Sequence, residues 1–203
     1  MSMWFGFYFG KVDLNEQIQG GKNMKTNYPN RIDEVNGIAY AWFTRMEYRG
    51  GAVTSDLGSE LILLDDRYYD LYQKVGNDIF AGLFTKLHSN IRQFFPYEEV
   101  QECETYLWLE NDKLVGSIRI NHNKEENCYD IERVMVAPQF QGKGYGWKLL
   151  NFIVAKLQQT HRAPIFLNVA ACNDPAIKMY EKFGFVPVHE EMAEWKIESA
   201  LCG

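Results

Sequence analysis

The 203-residue chain lacks several features that would mark a familiar class of site. It has only four cysteines, Cys103, Cys128, Cys172 and Cys202, and no two of them have the C-x-x-C spacing of a zinc site or redox motif. Its four histidines form no recognisable triad or metal-binding set. We therefore predict no metal ion and no disulfide framework, and a reducing cytoplasm as the location of the protein.

An excess of positive charge is also missing. The formal net charge is -6, whereas binding to nucleic acid requires clustered lysine and arginine. The longest apolar runs, such as Met3 to Gly10, are far shorter than the about 20 residues that cross a bilayer. We therefore predict neither a nucleic-acid partner nor a membrane span. A hydrophobic content of 46% and a charged content of 24% indicate one globular domain, with or without an appendage.

The most informative stretch of the sequence runs from Ile131 to Leu157. Its first six residues are rich in β-formers and predict a strand, which Pro138 ends. Glycines follow at positions 142, 144 and 146, and apolar residues then recur at the spacing of an amphipathic helix. The stretch therefore predicts a strand, a glycine loop and a helix. Such a loop points unpaired amides at a ligand from the positive end of a helix, which suits a phosphate or pyrophosphate.

The two common nucleotide-binding motifs do not fit this loop. A Walker A loop continues from its last glycine with Lys and then Ser or Thr, but here Lys143 is followed by Gly144. A Rossmann loop has the spacing G-x-G-x-x-G, whereas this loop has G-x-G-x-G and no ribose-binding acid at Gln158 to Thr160.

The loop Gln141-Gly142-Lys143-Gly144-Tyr145-Gly146 instead resembles the Q/R-x-x-G-x-G/A signature of GNAT-type N-acetyltransferases. The resemblance implies that the backbone amides from Gln141 to Gly146 hold the pyrophosphate of acetyl-CoA. Lys143 would add positive charge near the phosphates or remain a solvated loop lysine. The alternative is a glycine turn that only joins a strand to a helix.

A second pattern about thirty residues downstream strengthens the resemblance. Asn173, Ala176, Tyr180 and Gly184-Phe185 resemble the N-x-x-A-x-x-x-Y…GF segment of the same family. In that family the Asn binds the pantetheine arm or a water on its path, and the Tyr hydroxyl lies beside the CoA sulfur. The resemblance therefore implies a cofactor-binding role for Asn173 and the role of general acid for Tyr180.

The family also implies the remaining catalytic groups. The amides of Met135 and Val136 are the candidate donors to the thioester carbonyl. Glu132, which alternation along the strand would place on one face with Val134 and Val136, is the candidate general base, and Asp130 is the reserve. The open alternatives are a Glu132 that only faces solvent, a Glu132 paired with Arg133, and proton removal by ordered water.

The other periodicities predict the order of elements. Strands are expected at 37–48 and 59–64, which could form a hairpin, and helices at 66–75 and 78–93, separated by Gly76. Two strands at 104–110 and 113–121 should meet in a turn at Asn111-Asp112, followed by a strand at 128–136. After the central helix come a strand at 165–170, a helix capped by Asp174 with Pro175 at its first position and ended by Gly184, and strands at 185–189 and 193–199.

These elements predict an α+β fold, which the resemblance identifies as the GNAT fold, a mixed, mostly antiparallel sheet with splayed central strands and flanking helices. We expect a GNAT domain over residues 59–199 and an N-terminal extension of uncertain structure over residues 1–58. Within that extension, Met24 is a candidate translation start.

The implied function is transfer of an acetyl group from acetyl-CoA, as co-substrate, to a primary amine by direct transfer in a ternary complex. The acceptor would be a small molecule or a peptide, and assembly as a homodimer is left open. The alternative is a non-catalytic domain of the same fold that binds CoA or senses it.

Overall fold

The computed structural model describes residues 33–35, 38–55, 61–83, 103–160, 163–171 and 173–196. These residues form eight strands and three α-helices. The strands are β1 (Asp33–Val35), β2 (Ile38–Tyr48), β3 (Leu61–Leu63), β4 (Glu104–Glu110), β5 (Lys113–Asn123), β6 (Cys128–Val136), β7 (Ile165–Ala170) and β8 (Phe185–Lys196). The helices are α1 (Tyr69–Leu83), α2 (Tyr145–Thr160) and α3 (Asp174–Phe183).

All eight strands belong to one mixed sheet. Neighbouring strands follow the order β1-β2-β7-β6-β5-β4-β3. Strands β1 and β7 pair with different parts of β2, and β8 pairs with β2 from Ile38 to Tyr48. Every pairing is antiparallel except that of β6 with β7, which is parallel and crosses over through α2. The predicted mixed α+β sheet is therefore confirmed.

Strand β2, which precedes the predicted family domain, lies well inside this sheet. Its residues Phe43 to Glu47 pair with β7, and its whole length from Ile38 to Tyr48 pairs with β8. The strand predicted at 37–48 is confirmed, but its hairpin with 59–64 is wrong because Leu61–Leu63 pairs with β4 instead. The sheet therefore includes residues before position 59, where we predicted that the family domain begins. The position of that domain boundary stays a prediction.

Helices cover both faces of the sheet. Helix α1 packs on one face over a small core of Tyr72, Leu107, Leu114 and Met135. Helices α2 and α3 pack on the opposite face over the larger core, which includes Leu149, Leu150, Ile153, Val154, Tyr180 and Phe183. We call these two sides the α1 face and the α2 face.

Three local predictions need correction. Helix α1 runs through Gly76 without a break, because the glycine is buried and helical hydrogen bonding outweighs its low propensity; residues 84–93 lie outside the described part of the chain. Strand β8 is continuous from Phe185 to Lys196, since β2 pairs with its whole length. The N-cap of α3 is Asn173, not Asp174, and its side chain accepts a hydrogen bond from the Ala176 amide.

Other local predictions are confirmed. Asn111 and Asp112 both have positive φ, as a two-residue turn with right-handed twist requires, and they join β4 to β5. Strands β6 and β7 have the bounds that the sequence indicated, and α2 begins beside the last glycine of the loop. Gly184 ends α3 with φ of +115°, the left-handed C-cap. No helix among the described residues has the length and apolar character that a membrane span requires.

Candidate active site

The site is built where two parallel strands separate. Strands β6 and β7 pair only from Tyr129 with Ile165 to Ile131 with Leu167. Beyond that point β6 continues to Val136 and β7 to Ala170 without pairing to each other. The strands therefore diverge into a V-shaped opening, and Glu132 and Asn168 are the first residues on its two sides. This confirms the predicted splay of the central strands.

The glycine loop follows directly from one arm of this opening. After β6, Pro138–Phe140 forms a single 3-10 turn, and Gly142 and Gly144 have φ of +73° and +82°. A Cβ added at either glycine would meet nothing within 4 Å, so the backbone conformation, not crowding, requires glycine there. Helix α2 then begins at Tyr145, and its first turn leaves backbone amides without helical partners, directed at the loop.

The third glycine of the loop serves packing. A Cβ on Gly146 would lie 3.2 Å from Met179 Sδ and 3.8 Å from Val136 Cγ2, so this glycine lets α2 approach α3 and the end of β6. Lys143 bends back over the loop, because its Nζ donates to the Gln139 carbonyl oxygen at 2.9 Å. Its predicted contribution to phosphate binding would require that bond to break.

Aromatic packing fixes the loop against the sheet. The Tyr145 ring meets the Trp108 ring edge to face at 4.9 Å and the Phe140 ring at 5.7 Å. The Tyr145 hydroxyl donates to Glu110 Oε1 at 3.3 Å. The first residue of α2 is thereby anchored to β4, which fixes the position of the loop relative to the opening between β6 and β7.

The backbone of β6 shows which amides face the opening. The Ala137 N–H donates to the Val115 carbonyl oxygen at 2.9 Å, so Ala137 turns toward β5. Peptide groups alternate along a strand, and the Val136 amide and carbonyl therefore turn toward the opening, where Gln141 Nε2 donates to the carbonyl oxygen at 3.0 Å. By the same alternation the Met135 amide faces β5, whereas Val134, which our sequence prediction did not include, faces the opening. The register thus favours Val136 and disfavours Met135 as a donor.

The candidate acid, Tyr180, lies on α3, the helix that follows β7. The Tyr180 side chain is 8% exposed, and its ring meets the Phe185 ring edge to face at 6.0 Å. Burial raises the pKa of Tyr180 to about 12. The phenol is therefore protonated at neutral pH, which is the state that a general acid needs.

Asn173 lies at the start of the same helix. Its Oδ1 accepts the N–H of Ala176 at 3.4 Å, and its own N–H donates to the Ala170 carbonyl oxygen at 2.9 Å. The Oδ1 atom is thus engaged as the N-cap of α3. The predicted contact of Asn173 with a pantetheine arm would have to use its remaining hydrogen-bonding capacity.

Glu132 does not share a face with Val134 and Val136, and this prediction is wrong. In the β5–β6 ladder Arg119 pairs with Arg133 but Ile120 pairs with Ile131, so Glu132 is the extra residue of a β-bulge. Glu132 lies on the α1 face, where its Oε2 lies 2.9 Å from Arg119 Nε and 3.9 Å from Cys103 Sγ, and the bulge shifts the alternation of the residues that follow it. Val134 and Val136 pack against the larger core on the α2 face.

Asp130, the reserve base, lies on the same α1 face. Its Oδ1 is 3.1 Å from Arg45 Nη1, and the Arg45 guanidinium lies 4.4 Å above the Phe166 ring. Burial raises the pKa of Asp130, an effect that Arg45 opposes and the charge of Glu132 reinforces. Asp130 belongs to the paired part of β6, below the opening, whereas Glu132 lies at its edge. The position of the two carboxylates therefore favours Glu132 for contact with a ligand in the opening.

Arg119 is a further residue that the sequence did not single out. It is 5% exposed on β5, and its Nη2 donates to Cys103 Sγ at 3.1 Å. No local pattern marks it, because its pairing with Glu132 depends on the ladder between β5 and β6.

A group of three or more potential metal ligands is absent from the described residues.

Comparison with known proteins places this architecture in one family. The family model described as acetyltransferase (GNAT) family matches residues 66–185, which include the opening, the glycine loop, Glu132 and Tyr180. The N-acetylaspartate synthetase of Xenopus tropicalis is 30% identical over 125 residues, which cover 62% of this chain and 45% of that protein. A spermine/spermidine N(1)-acetyltransferase of Bacillus subtilis is 30% identical over 100 residues, covering 43% of this chain and 64% of that protein. The matched segments thus span less than two thirds of either relative.

Solved structures share the fold. A GNAT-family acetyltransferase structure from Novosphingobium aromaticivorans superposes with a TM-score of 0.62 at 16% identity, covering 82% of this chain and 70% of that one. One from Colwellia psychrerythraea gives a TM-score of 0.53 at 10% identity, covering 83% of this chain and 59% of that one. Because the family model matches more than half of the chain and includes both of its sequence motifs, this protein belongs to the GNAT family of N-acetyltransferases.

Proposed function

We propose that this protein transfers the acetyl group of acetyl-CoA to a primary amine in a ternary complex. The main support is one juxtaposition: the opening between β6 and β7 leads directly into a glycine loop at the N-terminus of α2. A pyrophosphate held at the loop would leave the pantetheine arm to extend along the opening toward Glu132 and Tyr180. The two ends of one elongated co-substrate therefore have matching sites along a single path.

The residues around the opening can supply each step of the transfer. The amine nitrogen attacks the thioester carbonyl carbon while a proton leaves the nitrogen for Glu132, directly or through a water. The carbonyl oxygen gains negative charge, which the Val136 amide would stabilise by donating to it. The C–S bond then breaks, and the Tyr180 hydroxyl gives its proton to the departing thiolate. The proton held by Glu132 returns to the Tyr180 phenolate through solvent, which restores both groups.

The acceptor is proposed as a small amine. One curated relative is named for N-acetylaspartate and the other for spermine and spermidine. Aspartate, spermine and spermidine are all small molecules with a primary amine. The names of these relatives make L-aspartate, spermidine and spermine the first acceptors to test.

The proposal is tested by thiol release from acetyl-CoA in the presence of those three amines, an aminoglycoside and an N-terminal peptide, with CoA binding measured by calorimetry. Release that depends on one class of amine is the expected result. CoA binding without release from any acceptor would favour the non-catalytic CoA-binding or sensor domain. Absence of CoA binding would contradict both.

A further inference from the structure

The strongest unused feature of the site is the buried guanidinium beside Glu132. Arg119 is 5% exposed, and it lies on the α1 face between Cys103 and Glu132. Leaving a guanidinium out of water is costly unless its charge is paired, so Arg119 and Glu132 constrain each other. Arg119 has no place in the steps proposed above, and its position calls for an explanation.

The bulge in β6 makes this pairing specific. Ile131 packs on the α2 face, so alternation puts the next residue, Glu132, on the α1 face. The bulge opposite the Arg119/Ile120 step then leaves Glu132 without a directly paired residue, and its carboxylate reaches Arg119. Bulges commonly re-aim side chains next to active sites. The backbone and the guanidinium therefore act together on the same carboxylate.

The contacts also distinguish the two carboxylate oxygens. Among the described residues, Arg119 Nε and Cys103 Sγ both contact Oε2 of Glu132. The Glu132 side chain is 27% exposed, so part of the carboxylate can reach a ligand or a water. The contact of Arg119 Nε is an ion pair, so the buried positive charge holds Oε2 on the Arg119 side of the carboxylate. With Oε2 held, Oε1 is the oxygen left to accept a proton.

We propose that Arg119 is a positioning residue that orients the Glu132 carboxylate, with Oε1 directed at the acceptor amine in the opening between β6 and β7. This rests on the proposed role of Glu132 as the base. Arg119 itself would contact neither acetyl-CoA nor the acceptor. Its removal should therefore lower the rate of transfer and leave the affinity for both substrates unchanged.

The test is a double-mutant cycle on kcat and KM, with acetyl-CoA and whichever of spermidine or L-aspartate shows the faster thiol release. We expect Glu132→Gln to lower kcat about 100-fold, within the range of general-base catalysis. Arg119→Met should lower kcat at least tenfold with both KM values within twofold of the parent. In the Glu132→Gln background the same Arg119→Met change should alter kcat less than twofold, because the group it orients is gone.

Two further variants separate positioning from folding. Arg119→Lys keeps the positive charge but not the planar guanidinium, so its kcat should lie between those of Arg119→Met and the parent. If Arg119→Met does not fold, Arg119→Lys becomes the variant that tests the positioning role. Arg49→Met removes an arginine from an exposed ion pair with Glu47 and should leave kcat unchanged. An equal loss from Arg119→Met in both backgrounds, or a rise in KM in place of a fall in kcat, would overturn the proposal. An unchanged kcat in Glu132→Gln would refute the base assignment, while thiol release by the parent protein would still support acetyl transfer.

Discussion

At the scale of single residues, the proposed chemistry depends on a phenol that burial keeps protonated. Tyr180 packs among the aromatic rings of the larger core, and its pKa is raised to about 12 because the phenolate would lose its hydration there. The ring and the hydroxyl group therefore have different roles: the ring stabilises the core, and the hydroxyl can supply a proton.

Replacing Tyr180 by Phe should lower kcat about 100-fold or more, because the proton donor to the thiolate is lost. The Kd for CoA should change less than about threefold, since the ring still packs against Phe185. Steady-state thiol release and calorimetry with CoA measure the two quantities. Tyr48→Phe is a matched control, because the Tyr48 ring also meets Phe185 but its hydroxyl bonds the Gly51 carbonyl oxygen. A kcat equal to that of the parent would contradict the acid role.

The raised pKa of Tyr180 also predicts the alkaline side of the pH profile. The acid must be protonated to act, and a pKa of about 12 leaves only about 0.3% of the phenol ionised at pH 9.5, against about a quarter for an ordinary tyrosine. Between pH 7 and 9.5, kcat at saturating substrates should therefore not decline. A fall in kcat with a midpoint near pH 9 in the parent protein, absent from Tyr180→Phe, would show that this phenol ionises in the working range.

At the scale of elements, the glycine loop depends on backbone conformation more than on space. Gly144 has φ of +82° and open surroundings, whereas Gly116 on β5 is crowded: a Cβ there would lie 2.6 Å from the Met135 carbonyl oxygen. The two glycines should therefore respond to substitution in different ways. One change should affect ligand binding, and the other the stability of the sheet.

Gly144→Val should weaken CoA binding about tenfold, because a β-branched residue at positive φ costs about 1–2 kcal/mol and the loop would relax from the shape that directs its amides. Calorimetric titration with CoA measures the change. Gly51→Val is the control, since that glycine also has open space around it but does not have positive φ. An unchanged Kd in Gly144→Val would argue against the loop as the phosphate site.

Gly116→Ala should lower the free energy of unfolding by about 1–3 kcal/mol, because the methyl group forces β5 away from the Met135 carbonyl and from Leu149 Cδ1, which is 3.0 Å distant. Urea unfolding followed by circular dichroism measures the loss, with Gly51→Ala as the neutral comparison. Equal stabilities for Gly116→Ala and the parent would mean that the two strands are free to separate there.

At the scale of the whole molecule, the sheet is a single unit that includes the N-terminal strand. Strand β2 lies between β7 and β8, and its Met46 side chain is fully buried in the larger core with the helices of the family domain. Removing β2 would leave two strand edges unpaired and open the core. The residues before the family match therefore contribute directly to the stability of the fold.

Met46→Ala should accordingly cost about 2–5 kcal/mol of unfolding free energy, the same range as Ile153→Ala on α2. Both variants should keep one cooperative urea transition. Arg49→Ala, at an exposed position just after β2, should stay within about 0.5 kcal/mol of the parent. A separate early transition in Met46→Ala would instead indicate that the N-terminal strand unfolds independently of the sheet.

The sequence by itself determined the features that depend on neighbouring residues. Glycines at alternate positions after Pro138 specify a loop, and the apolar spacing that follows specifies α2. Asn111-Asp112 and Gly184 specify a turn and a helix end through their tolerance of positive φ. These signals, together with the Asn173 to Phe185 pattern, were sufficient for the family and its fold, because each is encoded within a few residues.

Only the tertiary structure decided what depends on partners distant in sequence. The β-bulge at Glu132 forms against Arg119 and shifts the alternation along β6, so Glu132 and Val134 lie on opposite faces of the sheet. The same ladder turns the Val136 amide to the opening and the Met135 amide to β5. Two of the neighbours of β2, β7 and β8, are strands more than a hundred residues away along the chain. Register and strand order are properties of the assembled hydrogen-bond ladder, so no local pattern contains them.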